Sequence, residues 1–452
     1  MVNAPWSLPR VVVAAPASGH GKTTIATGLL AALRRRGHLV SPHKVGPDYI
    51  DPGYHALAAD RPGRNLDPWL VGEERIAGLL RHGAAVPRPA DIAVIEGVMG
   101  LHDGAVGHRG YASTAHVARL VAAPVLLVLD TTAQGRSAAA LALGMSAFDP
   151  AVRIGGVVLN RVGSPRHESL LREALAEVGV PVLGAVTRAA EVAAPARHLG
   201  LVPVAERAAE SIAVVDALAD LVAATVDLDA VLELARSAPP LTALPWDPAA
   251  AVGGPAGPDR PVVAVAGGPA FTFGYAETTE LLTAAGATVV PFDPLRDEAL
   301  PAGTRAVVVG GGFPEVYVEA LAANTGLRAD LAAFDGPVVA ECAGLLYLGR
   351  ELDGVPMCGR LDLTARMTGR LTLGYRAAVA AADSVPHAAG DLVRGHEFHR
   401  TGTDPGHGEQ PAWRWDGAAH GFVAGRIHAS YLHTHWAGQP RAAQRLVAAA
   451  TR

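Results

Sequence analysis

Arg10–Arg36 reads RVVVAAPASGHGKTTIATGLLAALRRR, and its three parts decide the fold of the first half of the chain. Arg10–Ala14 is a short, β-branched apolar run, the composition of a strand covered on both faces. Ala15–Thr24 (APASGHGKTT) interrupts it with glycines, and the alanine- and leucine-rich run Ile25–Arg36 continues as a helix. A strand, a glycine turn and a helix in that order suit phosphate binding. Gly19 and Gly21 let backbone N–H groups turn inward, and the helix offers its positive end. Lys22 would then pair with the β- and γ-phosphates of ATP and the Thr23 hydroxyl would ligate Mg²⁺, with Ser18 and Thr24 completing the loop. Pro16 stands where the GxxxxGK[ST] pattern has its first glycine, so a plain strand-to-helix turn is the competing reading.

The same alternation extends outward from this stretch. Ile92–Ile95, Val125–Leu129 and Gly155–Leu159 are further short apolar runs separated by helical segments, which predicts a parallel sheet covered by helices. Magnesium between phosphates needs hard oxygen ligands at the carboxyl ends of such strands. Asp48 and Asp51 in HKVGPDYIDPGYH, and Glu96 and Asp103 in IAVIEGVMGLHDG, are placed to supply them. Each has a bland alternative as a cap or turn residue. Asp130 is a further strand-end carboxylate that would equally cap a helix, and Asn160 would meet a purine edge or simply end a strand.

Ser237–Arg260, SAPPLTALPWDPAAAVGGPAGPDR, is too rich in proline and glycine to continue a helix or a strand, so it is read as a linker. The expected division is therefore 1–236, a linker 237–260, and 261–452. A second α/β series begins with Pro261–Ala266, Ala306–Val309 and Pro337–Ala340. In PVVAECAGLLYLG, Cys342 sits on a turn between strand and helix. The helix end would lower its pKa, and backbone N–H groups there, including Ala343, would hold an oxyanion. Gly310, Gly311 and Gly312 end the preceding strand and offer more such groups. Downstream, RIHASYLHTHW offers His428, His433 and His435 as bases for the thiol. Cys358 lacks this context and reads as structural.

With 452 residues, half of them hydrophobic and 18% charged, the chain has material for two cores rather than a disordered segment. The net charge of −5 and the scattered lysines and arginines argue against a nucleic-acid partner. Two cysteines make no disulfide framework, so a reducing, cytoplasmic compartment is expected. No apolar stretch is long enough to span a bilayer, and no membrane association is expected.

The segments APASGHGKTT, KVGPDYIDPGYH, IEGVMGLHDG, GGGFPE, AECAGLLYLG, RGHEFH and SYLHTHW, in this order, resemble the cobyrinic and hydrogenobyrinic acid a,c-diamide synthases of cobalamin biosynthesis over essentially the whole chain. The resemblance implies a dethiobiotin-synthetase-like P-loop domain that binds ATP and the corrin, followed by a class I glutamine amidotransferase-like α/β domain. It further implies a ligase with ATP as co-substrate, Mg²⁺ as cofactor, and glutamine and a corrin polycarboxylate as partners; a homodimer is left open. Carried over, Cys342 is the nucleophile and His433 its base. Ser18, Gly19, Gly21, Lys22, Thr23, Thr24 and Asn160 bind nucleotide, and Thr23, Asp48 and Glu96 hold Mg²⁺. Tyr49, Asp51 and Asp103 lie near the reacting carboxylate, and Gly311, Gly312 and Ala343 serve the oxyanion or glutamine. Two departures from the pattern stand out. His435 occupies the position, two after the catalytic histidine, where class I amidotransferases carry glutamate, and AVAGGPAFTFGY lacks an acidic residue near Gly267 or Gly268. Arg109 in HRGYAST is a candidate for gripping a substrate carboxylate. The alternatives are a nickel-sirohydrochlorin substrate, or a nucleotide-switched P-loop module with a degenerate amidotransferase tail.

Overall fold

In the computed structural model, which describes residues 7–188, 204 and 208–452, the first strand β1 (Arg10–Ala14) is buried along its whole length. It stands in the middle of a seven-stranded sheet completed by β2 (Val40–Val45), β3 (Arg64–Leu66), β4 (Ile92–Glu96), β5 (Val125–Asp130), β6 (Ile154–Val162) and β7 (Val182–Thr187). The order is β3-β2-β4-β1-β5-β6-β7 and every neighbouring pair is parallel. The chain winds to one side of β1 through β2 and β3 and to the other through β5, β6 and β7. The carboxyl edge at that reversal is where open α/β sheets bind ligands.

Helix α1 (Lys22–Arg35) follows β1 directly, and α2 (Asp51–Ala59) follows β2. Ile25, Leu29 and Leu33 of α1 are fully buried with Leu218 and Val222 of α3 (Ala208–Thr225), each such side chain worth about 1.5–3 kcal/mol of burial. Gly28 permits that approach, because a Cβ there would stand 2.6 Å from the Leu218 carbonyl oxygen.

The chain divides into two units, Met1–Pro68 with Gly72–Trp246, and Trp69–Val71 with Asp247–Arg452. The segment 237–260, read as a linker, is not without regular structure. Residues 241–246 run beside the helix Glu73–Ala85: Trp246 N–H donates to Gly78 O at 2.9 Å, and the Arg81 guanidinium donates to Ala243 O. One turn of helix, α4 (Pro248–Val252), also forms there. Its proline sits in the first turn, where no N–H is missed, the Asp247 side chain accepts from Ala249 N–H, and Gly253 closes the other end at a φ of 77°. The proline and glycine that discourage helix in the interior here serve as its two ends.

In the second unit β8 (Val262–Ala266), β10 (Thr304–Val309) and β11 (Val338–Glu341), at the three expected runs, form a parallel core together with β9 (Thr288–Phe292), which lies outside those runs. The chain then makes a long antiparallel ribbon, β12 (Thr364–Ala380) with β13 (Leu392–Asp404). It returns through β14 (Phe422–Ala424), β15 (Ile427–Ser430) and β16 (His433–Thr434). The six-stranded sheet runs β14-β15-β11-β10-β8-β9, parallel except for the β14–β15 hairpin, while β16 joins the ribbon at β13. The ribbon is not signalled by a buried apolar run, since TARMTGRLTLGYRAAVA carries arginine and glycine through a half-exposed strand. Among the described residues no helix is long and apolar enough to cross a membrane.

Candidate active sites

At the carboxyl edge of the first sheet, Gly21 begins α1 with a φ of 96°, and a Cβ on it would lie 2.3 Å from the Asn160 amide nitrogen. No side chain caps the first turn of α1, so its positive end faces the loop. The buried Lys22 ammonium curls back to donate to Ala17 O at 3.1 Å and Met99 O at 2.6 Å. Burial, and then the neighbouring Lys44, pull it down to about 8.

Strand register brings the acidic groups to this loop. Lys44, one residue before the end of β2, lies opposite Glu96 at the end of β4, and its ammonium lies 2.9 Å from Glu96 Oε1 and 2.7 Å from Asp51 Oδ2. Glu96 Oε1 also accepts from the Thr23 hydroxyl at 2.6 Å, and Glu96 Oε2 meets His55 Nε2 at 2.6 Å. Burial alone would push Glu96 up, but Lys44, His55 and Thr23 outweigh it and hold the carboxyl well below the usual range. Asp51 goes the other way: burial, then repulsion from Glu96, push it up to about 7.

These donors fit Mg²⁺. Among the described residues there is no cage of three or more His, Cys, Asp or Glu side chains, but magnesium on a phosphate needs only one or two carboxylates beside phosphate oxygens and water. Thr23 and Glu96 are in hydrogen-bond contact, Asp51 Oδ2 is 3.4 Å from the Thr23 hydroxyl, and Asp51 Oδ1 is buried without a hydrogen-bond partner. Asp51, rather than the expected Asp48, stands against Thr23. Asp48 Oδ1 accepts from the N–H groups of Ile50 and Asp51 and so fixes the turn into α2.

The other expected residues are spread around this cluster. Asp103 Oδ2 accepts from Gly100 N–H at 3.0 Å and its charge reaches Lys22. Tyr49 is half-buried in the turn before α2, Ser18 is exposed in the loop, Thr24 is buried in α1, and Arg109 is exposed. Asn160 spends its amide on the loop itself, its nitrogen donating to His20 O and its oxygen accepting from Arg161 N–H. Asp130 accepts from Thr132 N–H and pairs with Arg161 at 2.6 Å, while the next helix, Ser137–Phe148, starts after Arg136 with no side-chain cap.

The thiol site lies at the carboxyl edge of the second sheet. Cys342 is the junction between β11 and the helix α6, once α5 (Ala276–Ala284) and α6 (Ala343–Leu348) are counted, and it holds a φ of 52° and ψ of −105°. A non-glycine residue there is strained, as in nucleophile elbows. Its N–H donates to Ser430 O at 2.8 Å, which ties the elbow to β15. The expected depressed thiol pKa is not found. Burial pushes the thiol up to about 12, against the pull of the Ala343 and Gly312 N–H groups. Gly312 and Ala343 are two of the three residues expected to serve the oxyanion or glutamine, the third being Gly311, and their N–H groups face the sulfur.

Of the three histidines, His433 lies at this elbow's flank: a Cβ on Gly311 would be 2.4 Å from its Cε1. Burial, then His396 and His399, hold its imidazole well below the ordinary value. His428 is built into the fold instead, with Nδ1 3.1 Å from the Ser384 hydroxyl and its ring beside His387 and Trp413. His435 stacks on Tyr275 at 4.0 Å, and its Nε2 faces Glu277 of α5 at 3.7 Å. Cys358 is buried in the core of this unit.

Comparison with known proteins matches two domain families along the chain. Residues 11–202 match the CobQ/CobB/MinD/ParA nucleotide binding domain, and residues 262–441 match the CobB/CobQ-like glutamine amidotransferase domain. The chain is 57% identical to hydrogenobyrinate a,c-diamide synthase of Streptomyces coelicolor over 98% of its own length and 97% of that protein. It is 58% identical to the Thermobifida fusca protein of the same name, again over 98% and 97%.

The chain belongs to the a,c-diamide synthase family.

A cobyrinate a,c-diamide synthase of the same family, from Dehalococcoides mccartyi, is 39% identical over 98% of each chain. For this family member, sequence reasoning passed over Lys44 and His55, although both lie in the segment KVGPDYIDPGYH. The available signals were strand register, which sets Lys44 beside Glu96, and helix spacing, which sets His55 one turn beyond Asp51.

Proposed function

We propose that this chain amidates the a and c acetate carboxylates of hydrogenobyrinic acid, using ATP and ammonia from glutamine. The observation that carries the reading is the conjunction, in one chain 57% identical to an enzyme of that name, of a Lys22–Thr23 phosphate loop against Glu96 and a Cys342 elbow facing two N–H donors. The hydrogenobyrinate enzymes stand at 56–58% identity and the cobyrinate enzymes at 39–42%, which favours the metal-free acid.

In the glutamine half, the Cys342 thiol gives its proton to His433 as sulfur attacks the side-chain amide carbon. Gly312 and Ala343 N–H hold the oxyanion, with Gly311 packing the base in place. The proton passes to the departing nitrogen, ammonia leaves, and water hydrolyses the thioester to glutamate. Because the resting thiol is protonated at neutral pH, this transfer has to accompany attack.

In the synthetase half, Lys22 and the amino end of α1 take up the charge of the triphosphate while the γ-phosphoryl group moves to an acetate oxygen and ADP leaves. Thr23, Glu96 and Asp51 would hold Mg²⁺, which would neutralise phosphate charge there. Lys44, fixed between Asp51 and Glu96, keeps that pair of carboxylates in place. Ammonia displaces phosphate from the acyl phosphate, so each amide consumes one ATP and one glutamine. Tyr49, Asp103 and Asn160 remain in the proposal as residues of the loops around this chemistry. ATP, glutamine and reduced thiols are all cytoplasmic, and that is the compartment proposed.

The test is product mass after incubation with Mg-ATP, glutamine and either hydrogenobyrinic or cobyrinic acid, beside Cys342→Ala. Two amides are expected from glutamine, and from the variant only when free ammonia is supplied. No mass change with either acid would refute the reading.

A further inference from the structure

The His433 imidazole has to become positively charged in a place that opposes it, since it is fully buried with His396 and His399 nearby. A buried imidazolium is stabilised by an acceptor at its far nitrogen, most strongly by a carboxylate. The position two residues on, where a glutamate is expected, holds His435, whose Nε2 faces Glu277. Of the acidic groups of the ribbon, Glu397 is engaged by Arg376 at 2.7 Å and by His399 at 3.6 Å.

Glu341 stands apart from these. It is the last residue of β11, immediately before the nucleophile, and lies opposite Ser430 in the sheet. Its Oε1 accepts from the Thr434 N–H at 3.2 Å and from the Thr434 hydroxyl at 2.6 Å, so the carboxylate is tied to the residue next to the base. That leaves Oε2 turned toward His433 Nδ1, 3.9 Å away. One side chain thereby links the segment of the nucleophile to the segment of the base. Catalytic hydrogen bonds are commonly long in a resting site and tighten with substrate bound.

We propose that Glu341 is the positioning acid of the amidotransferase site: its Oε2 receives the His433 Nδ1–H when His433 takes the Cys342 proton, with Thr434 holding the carboxylate. The assignment rests on the amidotransferase reading above. It takes the third role of a Cys–His site from the residue before the nucleophile rather than from a residue after the histidine. Burial pushes Glu341 up to about 7, with the two Thr434 bonds opposing, so the acid is half ionised near neutral pH. Thus the wild-type glutaminase rate should fall below about pH 7 as Glu341 takes a proton and its countercharge is lost.

The experiment compares full-length wild type, Glu341→Gln and Glu341→Asp in glutamate release from glutamine, across pH 5.5–9 as a roughly chosen range, and in amidation driven by ammonium chloride. For Glu341→Gln, glutamine turnover should drop about 10- to 100-fold, mainly in kcat, the worth of one charge-assisted contact made in the transition state. Ammonia-driven amidation should stay within about twofold, since that half does not use the thiol site. The fall in rate below neutral pH should disappear in Glu341→Gln, and Glu341→Asp should recover part of the rate. Glutamine turnover within about twofold of wild type, with the acid limb intact, would overturn the proposal. So would a parallel loss of glutamine- and ammonia-driven rates, which would make Glu341 a structural residue. A wild type that releases no glutamate while amidating from ammonia would instead overturn the amidotransferase reading, and this assignment with it.

Discussion

Replacing Glu96 by glutamine keeps the shape of the side chain and removes the one charge that Thr23, Lys44 and His55 share. The carboxylate takes contacts of 2.6, 2.9 and 2.6 Å from these three, all in a buried site. Breaking a buried pair costs about 3–5 kcal/mol when the surviving charge is left alone, and because Lys44 keeps Asp51 the loss should sit near the low end, about 3 kcal/mol. That contact to Asp51 is 2.7 Å. The sign with pH follows from the depressed Glu96 value. Its contribution is fully present above the unfolded carboxyl pKa of about 4 and is lost only as pH falls through the lower folded value. Asp51 runs in the opposite sense. Its folded value is raised to about 7, so its ionisation opposes the fold as pH rises from the unfolded value toward that point. Without the Glu96 charge Asp51 should ionise at lower pH and return one negative charge to Lys44. The assay is equilibrium urea unfolding at pH 8, where both carboxyls are ionised, with hydrogen exchange in β1 and β4 reporting the first unit, beside calorimetry of Mg-ATP binding. A stability loss below about 1 kcal/mol, the worth of an exposed pair, together with Mg-ATP affinity kept within about twofold, would refute the assignment of this cluster as a buried, metal-facing network.

Two further outcomes are expected. Gly21→Ala places an L-residue at a φ of 96° with its Cβ 2.3 Å from the Asn160 amide. The variant should lose about 1–3 kcal/mol and bind Mg-ATP at least about tenfold more weakly, measured by thermal unfolding and calorimetry; unchanged affinity would show that the loop geometry is not what holds the nucleotide. Because burial pushes the Cys342 thiol up to about 12, its alkylation by iodoacetamide should be slow at pH 7 and climb about tenfold per pH unit to at least about pH 10, followed by peptide mass at Cys342. A plateau near neutral pH would contradict a protonated resting thiol.

The central strands of the first sheet and both reactive loops were legible in the sequence because their signals are local. A fully apolar run, a glycine turn and a helix from Arg10 to Arg36 specify β1, the phosphate loop and α1 in one reading, and the same logic places Cys342 between β11 and α6. The ribbon of β12 and β13 escaped it, since a half-exposed strand shares its composition with loops. So did α4, whose proline and glycine read as breakers until Asp247 and Gly253 are seen as its caps.

Which carboxylate faces which base depends on partners far apart in the chain, and there composition is silent. Asp48 and Asp51 are indistinguishable as strand-end acids. The tertiary fold turns one toward backbone N–H groups and the other toward Thr23 and Lys44. His428, His433 and His435 lie within one short segment, and only the packing of Gly311 against His433, of Trp413 against His428 and of Tyr275 against His435 separates them. The sign of the Cys342 shift is likewise a tertiary property: the helix end and N–H donors that would lower it are written locally, while the burial that outweighs them is made by the whole unit. Sequence alone thus determined which groups are present and which strand ends carry them. Strand register and desolvation, which no local pattern encodes, decided how those groups are paired and charged.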